Sequence, residues 1–299
     1  MTATAVREDD VRTLDTQMRY LAEHSPVNRR FVSAGAEKST GNYVDERVTI
    51  RDGRAIRDQF TLDTHGFTLL DHHTAVTDFD EPQQIEDIYL DEAAAFVRDT
   101  IGATRVVHRG WMLRTAADLS QVRRKVEGYQ HRGGLQPPAG EAHVDYAPRS
   151  AHTVAEQTYA ANFPDGPGYR RFIAFSFWRA LSPPPQNCPL AVCDGRSLAD
   201  EEGVLNPLHI VDEMPSDEDM LAEIPGEEER IAANIFRYRP GHRWWYFSNM
   251  VLSEALLFKF FDSDHRVTWR CPHSAFFDTS LPDAHVRKSI ETRLLAFFE

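Results

Sequence analysis

A chain of 299 residues with 41% hydrophobic and 11% aromatic side chains can bury a sizeable core, either as one large β domain or as two smaller units. It holds no apolar run near the ~18 residues a spanning helix needs, and its start is polar and acidic rather than basic then apolar, so a cytoplasmic location is expected. A net charge of −13 disfavours nucleic acid and anionic membranes as partners but leaves room for an anionic small molecule gripped by a local arginine.

In chain order, residues 1–45 carry few sustained apolar patterns and read as a peripheral segment with a short helix over 11–21. Residues 60–63 and 67–70 flank Thr64-His65-Gly66 in the pattern of a hairpin. The clearest helix follows. Asp80 can cap it, Pro82 suits its first turn, and Ile85, Ile88, Tyr89, Ala93, Phe96, Val97 and Ile101 recur at helical spacing up to Gly102. It is expected to pack across the outside of a sheet.

Residues 104–107 and 111–113 read as extended, 132–140 as a Gly/Pro-rich loop and 150–161 as helical. Strand signals then dominate at 172–178, 190–192, 232–238, 243–247, 256–261 and 289–298, with a turn at Pro240-Gly241. Residues 212–230, rich in acids, read as a solvated insertion loop. The three cysteines, Cys188, Cys193 and Cys271, form no C-x-x-C pair, which predicts reduced, buried thiols rather than a disulfide framework or a structural zinc site. Many strands and few helices predict a mainly β fold with flanking helices, a barrel or jelly roll.

The 132–140 loop delivers the chain to His143-Val144-Asp145. Side chains two apart on a strand share a face, so His143 and Asp145 can reach one metal while Val144 points away. A later histidine, His273, lies 130 positions on, near the last strand. Two imidazoles and one carboxylate with open positions opposite form the facial triad of non-heme Fe(II) oxygenases. A lone H-x-D is weak evidence, because most histidines are surface or hydrogen-bonded residues. Arg287 adds to it: it follows His273 by 14 positions, and Ser289 shares its strand face. A guanidinium beside a hydroxyl can hold the distal carboxylate of 2-oxoglutarate, whose 2-oxo acid end chelates the iron. Arg293 has the same parity and is the alternative anchor; the structural alternative is an ion pair between Arg287 and Glu291.

The segments His143-Val144-Asp145-Tyr146-Ala147-Pro148 and Pro272-His273-Ser274-Ala275-Phe276, with residues 48–52, 62–67, 189–194, 245–248 and 255–259, carry a family likeness. Over residues 45–299 the chain resembles the Fe(II)/2-oxoglutarate dioxygenase superfamily, in the natural-product group similar to gibberellin desaturase and to a cephamycin methoxylation component. The resemblance implies a double-stranded β-helix over 46–299, with His143, Asp145 and His273 as iron ligands and Arg287 with Ser289 as the cosubstrate grip. It implies Fe(II), 2-oxoglutarate and O2 as the chemistry, yielding succinate and CO2 as a substrate C–H bond is oxidised by hydroxylation or desaturation. Because Asp145 fills the position a halide would take, halogenation is disfavoured. An iron oxidase without 2-oxoglutarate and a non-catalytic jelly-roll binder are the alternatives. The expected substrate is a small, largely apolar metabolite, since Phe175, Phe177, Trp178, Trp245 and Phe247 lie among the predicted strands.

Overall fold

The structure, a computed structural model, describes residues 6–33, 36–117 and 135–299. Two sheets face one another. The larger has ten strands, in the spatial order Thr13–Leu21, Tyr43–Asp52, Trp244–Tyr246, Leu190–Cys193, His273–Ala275, His143–Val144, Ala232–Ile235, Val204–Ile210, Arg30–Ser33 and Ala36–Ser39. The smaller has six: Phe67–Asp71, Glu254–Asp262, Arg171–Ala180, Lys288–Phe298, Arg105–Thr115 and Leu135–Gln136. This is the mainly β, two-sheet arrangement the sequence predicts, with few helices outside it.

Alternation on the small sheet builds two cores. Phe172, Ala174, Trp178, Leu256, Phe258, Leu295 and Phe297 face the large sheet, while Ile173, Phe175, Phe177, Leu257, Ile290 and Leu294 face outward under a helix. That helix is the predicted one. It opens with Pro82–Gln84, passes through a π turn at Ile85–Tyr89 and continues as Leu90–Ile101, where Gly102 closes it in the left-handed conformation at φ 66°. Leu90, Ala93 and Val97 are its buried stripe, and each large apolar side chain so covered contributes about 1.5–3 kcal/mol. The residue before the first turn is Glu81, without a side-chain cap; Asp80 instead pairs with Lys288.

Several expectations fail for long-range reasons. Residues 13–21 form a strand, not a helix, paired antiparallel with Tyr43–Asp52 from Thr13↔Arg51 to Leu21↔Tyr43. The strands before residue 45 thus supply both ends of the large sheet. No hairpin spans 60–70: Gly53–Gln59 is a 3-10 turn, and Phe67–Asp71 pairs with Glu254–Asp262. The acidic stretch carries the short helix Asp217–Leu221 and is pinned by buried Arg29, which donates to Met220 O and Ala222 O at 2.8 Å and pairs with Glu227. All three cysteines are free and buried. Residues 118–134, which include His131 and the start of the 132–140 loop, lie outside the described residues. Among the described residues no helix is long and apolar enough to cross a membrane.

One buried pair on the outer face makes stability depend on pH. Arg179 donates to Tyr89 Oη at 3.2 Å and contacts the His72 ring nitrogen Nδ1, which must be unprotonated to accept. Burial, reinforced by the Arg179 charge, pushes His72 down from 6.5 to about 4. The unfolded chain therefore binds the proton first. The contribution is complete above pH 6.5 and is lost as pH falls towards 4, on the order of 2–3 kcal/mol. Urea unfolding at pH 7 and pH 4.5 should show the natural chain losing about 2 kcal/mol more than His72→Gln. Equal losses would remove His72 as the cause.

Candidate metal centre and cosubstrate pocket

His143 and His273 are direct cross-strand partners in the large sheet. A separation of 130 residues thus closes to neighbouring strands, and the ring centroids lie 4.3 Å apart. His143 is fixed from both sides, because Ala142 N donates to Arg19 O at 2.9 Å and Phe236 N donates to Ala142 O at 2.9 Å. Asp145 follows where the chain turns into the helix Pro148–Asn162, whose first residue is a proline, suited to the first helical turn. Ala147 N donates to Ala232 O at 2.8 Å, and Ala232 N donates to Ser150 Oγ at 2.8 Å, tying that junction to the sheet.

The ring nitrogens are sorted by their backbone contacts. His143 Nδ1 lies 2.8 Å from Glu141 O, and His273 Nδ1 lies 3.3 Å from Cys271 O. A carbonyl accepts only from a protonated nitrogen, so in both rings Nδ1 carries a hydrogen and Nε2 is the nitrogen left to turn to a metal. Both Nε2 atoms turn to Asp145: Oδ1 is 3.3 Å from His143 and 3.8 Å from His273. The three donors lie within 4.8 Å of one another, the one such cluster of three or more among the described residues. Two borderline nitrogens and one hard oxygen suit Fe(II).

Electrostatics follow from crowding these groups together. Burial works against an ionised Asp145, but Arg293 and then His143 outweigh it and hold the carboxyl far below its usual range. Burial likewise opposes charge on His143, yet its contact with Asp145 raises it overall. Burial, then the neighbouring His143, pushes His273 well down, and the Phe258 and Phe260 rings pack against it at 4.6 and 5.6 Å.

The small sheet supplies the facing wall. Arg287, Trp178, Phe258, Arg114 and Glu291 line the same cavity as His143 and His273, together with Leu190, Ala139 and Ala275. Arg287 is 1% exposed and Ser289 is fully buried. The Nε and Nη2 atoms of Arg287 and the Oγ of Ser289 have no hydrogen-bond partner among the described residues. A buried cation without an acceptor is costly, about 1–3 kcal/mol or more per group. Among the described residues the guanidinium lies over the Trp178 ring, 5.8 Å away, and burial lowers its pKa. The sequence alternative, pairing with Glu291, is not what the structure holds: Glu291 meets Arg293 at 3.4 Å and Arg114 at 3.8 Å. Arg293 itself reaches Asp145 Oδ2 at 2.7 Å rather than the cavity around Arg287.

Nothing in the sequence marks Arg114 or Phe258 as a cavity residue. Arg114 enters by pairing across the sheet, Ser289↔Arg114, and no local spacing marks it. Trp178, one of the aromatics of the predicted strands, lines the cavity, whereas its neighbour Arg179 points to the outer core.

A jelly roll whose one wall carries a His, Asp, His cluster and whose other wall offers an unpaired buried arginine has the makings of a non-heme iron oxygenase that takes an anionic cosubstrate. Comparison with known proteins sharpens that class. A family model described as an oxidoreductase/YMDC permease-like domain matches residues 18–297. The hydroxylase/desaturase efuI of Hormonema carpetanum is 30% identical over 296 residues, 96% of each chain. The Fe(II)/2-oxoglutarate-dependent dioxygenase nvfI of Aspergillus novofumigatus is 31% identical over 270 residues, 88% of this chain and 87% of that one. The solved structure of the iron and alpha-ketoglutarate-dependent endoperoxidase NvfI superposes with a TM-score of 0.70 at 26% identity, covering 96% of this chain and 98% of that one. The chain belongs to the Fe(II)/2-oxoglutarate-dependent dioxygenases. Its cofactors are Fe(II), 2-oxoglutarate and O2.

Proposed function

We propose that His143, Asp145 and His273 hold the iron, that Arg287 and Ser289 hold the distal carboxylate of 2-oxoglutarate, and that the enzyme hydroxylates or desaturates a small, largely apolar natural product. The observation that carries this reading is the buried Arg287, whose Nε and Nη2 lack partners among the described residues and which lines the same cavity as His143 and His273, with the buried, likewise unpartnered Ser289 Oγ two residues on. A carboxylate there would accept from Arg287 and Ser289 and remove the cost of leaving them unpaired. An oxidase that dispenses with 2-oxoglutarate has no use for such a cation.

When bound, the iron supplies O2 activation coupled to oxidative decarboxylation of the cosubstrate to succinate and CO2. The protein's part is placement. Protonated Nδ1 atoms keep both Nε2 lone pairs on the metal side, and Arg293 keeps Asp145 ionised without the metal. Trp178, Leu190, Phe258, Ala139 and Ala275 supply the apolar part of a wall otherwise made by Arg114, Arg287, Glu291 and the two histidines, and that part suits an apolar substrate. The relatives are named for different outcomes, hydroxylase/desaturase and endoperoxidase, so the product depends on how a substrate is held. Buried, reduced thiols fit a cytoplasmic setting.

The test is succinate release by iron-loaded protein offered terpenoid, polyketide and peptide-derived scaffolds. Iron-dependent release stimulated by one of these supports the reading. Stimulation only by polynucleotides or by free polar amino acids would overturn the apolar substrate class.

A further inference from the structure

We propose that Arg293 is a positioning residue of the metal centre, clamping one oxygen of Asp145 so that the other is presented to the metal between the two imidazoles. The proposal rests on the iron-ligand reading above. The two carboxylate oxygens of Asp145 have different neighbours: Oδ2 meets Arg293 Nη2 at 2.7 Å, while Oδ1 faces His143 Nε2 at 3.3 Å and His273 Nε2 at 3.8 Å. A free carboxylate can rotate, or bind a metal with both oxygens and so occupy a position the cosubstrate or O2 needs. A close ion pair with one oxygen works against both.

The clamp is itself held. Arg293 Nε lies 3.4 Å from Glu291 Oε1, Glu291 Oε2 lies 3.8 Å from Arg114 Nε, and Arg114 Nη1 donates to Pro137 O at 2.9 Å. Asp145, Arg293, Glu291 and Arg114 thus form a row of alternating charge running from the metal cluster to the cavity that Arg287 lines. Glu291 offsets the arginine's repulsion of a dication, which leaves geometry as the main effect of the contact. The backbone is adapted at the same place. Pairing runs from Thr292↔Trp111 to Leu294↔His108, so Arg109 and Gly110 together oppose Arg293 alone. Gly110 adopts φ 95°, a conformation other residues rarely take, and such bulges redirect the side chains beside them.

Anaerobic Co(II) titration, without 2-oxoglutarate or O2, tests the role apart from turnover. Arg293→Gln, shown by circular dichroism to be folded, is expected to bind Co(II) about 10–100-fold more weakly and to shift the visible ligand-field absorption as the carboxylate changes its binding mode. Arg293→Lys, which keeps one charged contact, should recover part of both. Folded Arg293→Gln with affinity equal to or above that of the natural chain and an unchanged spectrum overturns the proposal. Asp145→Ala separates the two levels: if it too binds Co(II) normally, the metal-ligand reading falls, whereas loss of binding there alone leaves that reading standing and removes only Arg293.

Discussion

Asp145→Ala is expected to stop substrate-dependent succinate formation, with a fall of at least about a thousandfold, because altering only the partners of metal ligands already costs about 10–100-fold. The physical reason is specific to this site. The carboxylate is the anionic member of the cluster, and its loss leaves two neutral imidazoles facing the positive Arg293. His273→Ala should match the loss of turnover, and it also opens a void against Phe258 and Phe260, so its melting temperature should fall while that of Asp145→Ala changes less. Iron bound per chain, succinate released and thermal unfolding, measured on the same preparations, check all three statements. Full turnover in either variant removes that residue from the metal site.

The second large effect concerns the opposite wall. Arg287→Ala should raise the 2-oxoglutarate KM by at least tens of fold, corresponding to on the order of 2–4 kcal/mol for a charge-assisted bidentate contact. Metal affinity should not change, because among the described residues Arg287 meets the Trp178 ring and Asn187 Oδ1 rather than any of the three cluster residues. Arg287→Lys should fall between, since an ammonium offers a point charge where a planar fork is needed. The fold itself should tolerate the truncation, as the wild-type side chain leaves its own Nε and Nη2 unsatisfied. Steady-state kinetics with 2-oxoglutarate as the varied component decide the matter. If Arg293→Ala raises that KM and Arg287→Ala does not, the anchor is Arg293.

How much of this was legible in the sequence depends on how local the information is. His143 with Asp145, and Arg287 with Ser289, are pairs two apart on one strand, so parity alone puts each pair on one face. The helix ending at Gly102 declares itself through its own spacing and its left-handed cap. That His143 and His273 would be paired directly is a fact of strand order, written in no neighbouring residue. Thr13–Leu21 was misread because only Met18, Tyr20 and Leu21 of its nine residues are buried, so the apolar alternation of a strand is faint over its first half. Phe67–Asp71 misled in the opposite way: its strand character was plain, but its partner is Glu254–Asp262 rather than the next residues upstream. Val204–Ile210 carries no clear strand signal because Pro207 argues against a ladder, yet the proline sits opposite Ala232, where the strand ends one pairing before beginning another with Arg30–Ser33.

The placement of the earliest strands at both ends of the large sheet has a consequence for synthesis. Thr13–Leu21 and Tyr43–Asp52 can pair as soon as they emerge, but the next strand inward, Trp244–Tyr246, leaves the ribosome roughly 190 residues later, about 10–40 s at ordinary elongation rates. Arg30–Ser33 waits nearly as long for Val204–Ile210. For that interval the nascent chain carries two ribbons with open hydrogen-bonding edges, the state in which strands recruit one another between chains. Charges on both ribbons are what such a delay demands: exposed Asp45 and Arg47 lie on the waiting strand Tyr43–Asp52, and Glu37 and Lys38 guard the outer strand Ala36–Ser39, whose edge stays open in the folded protein.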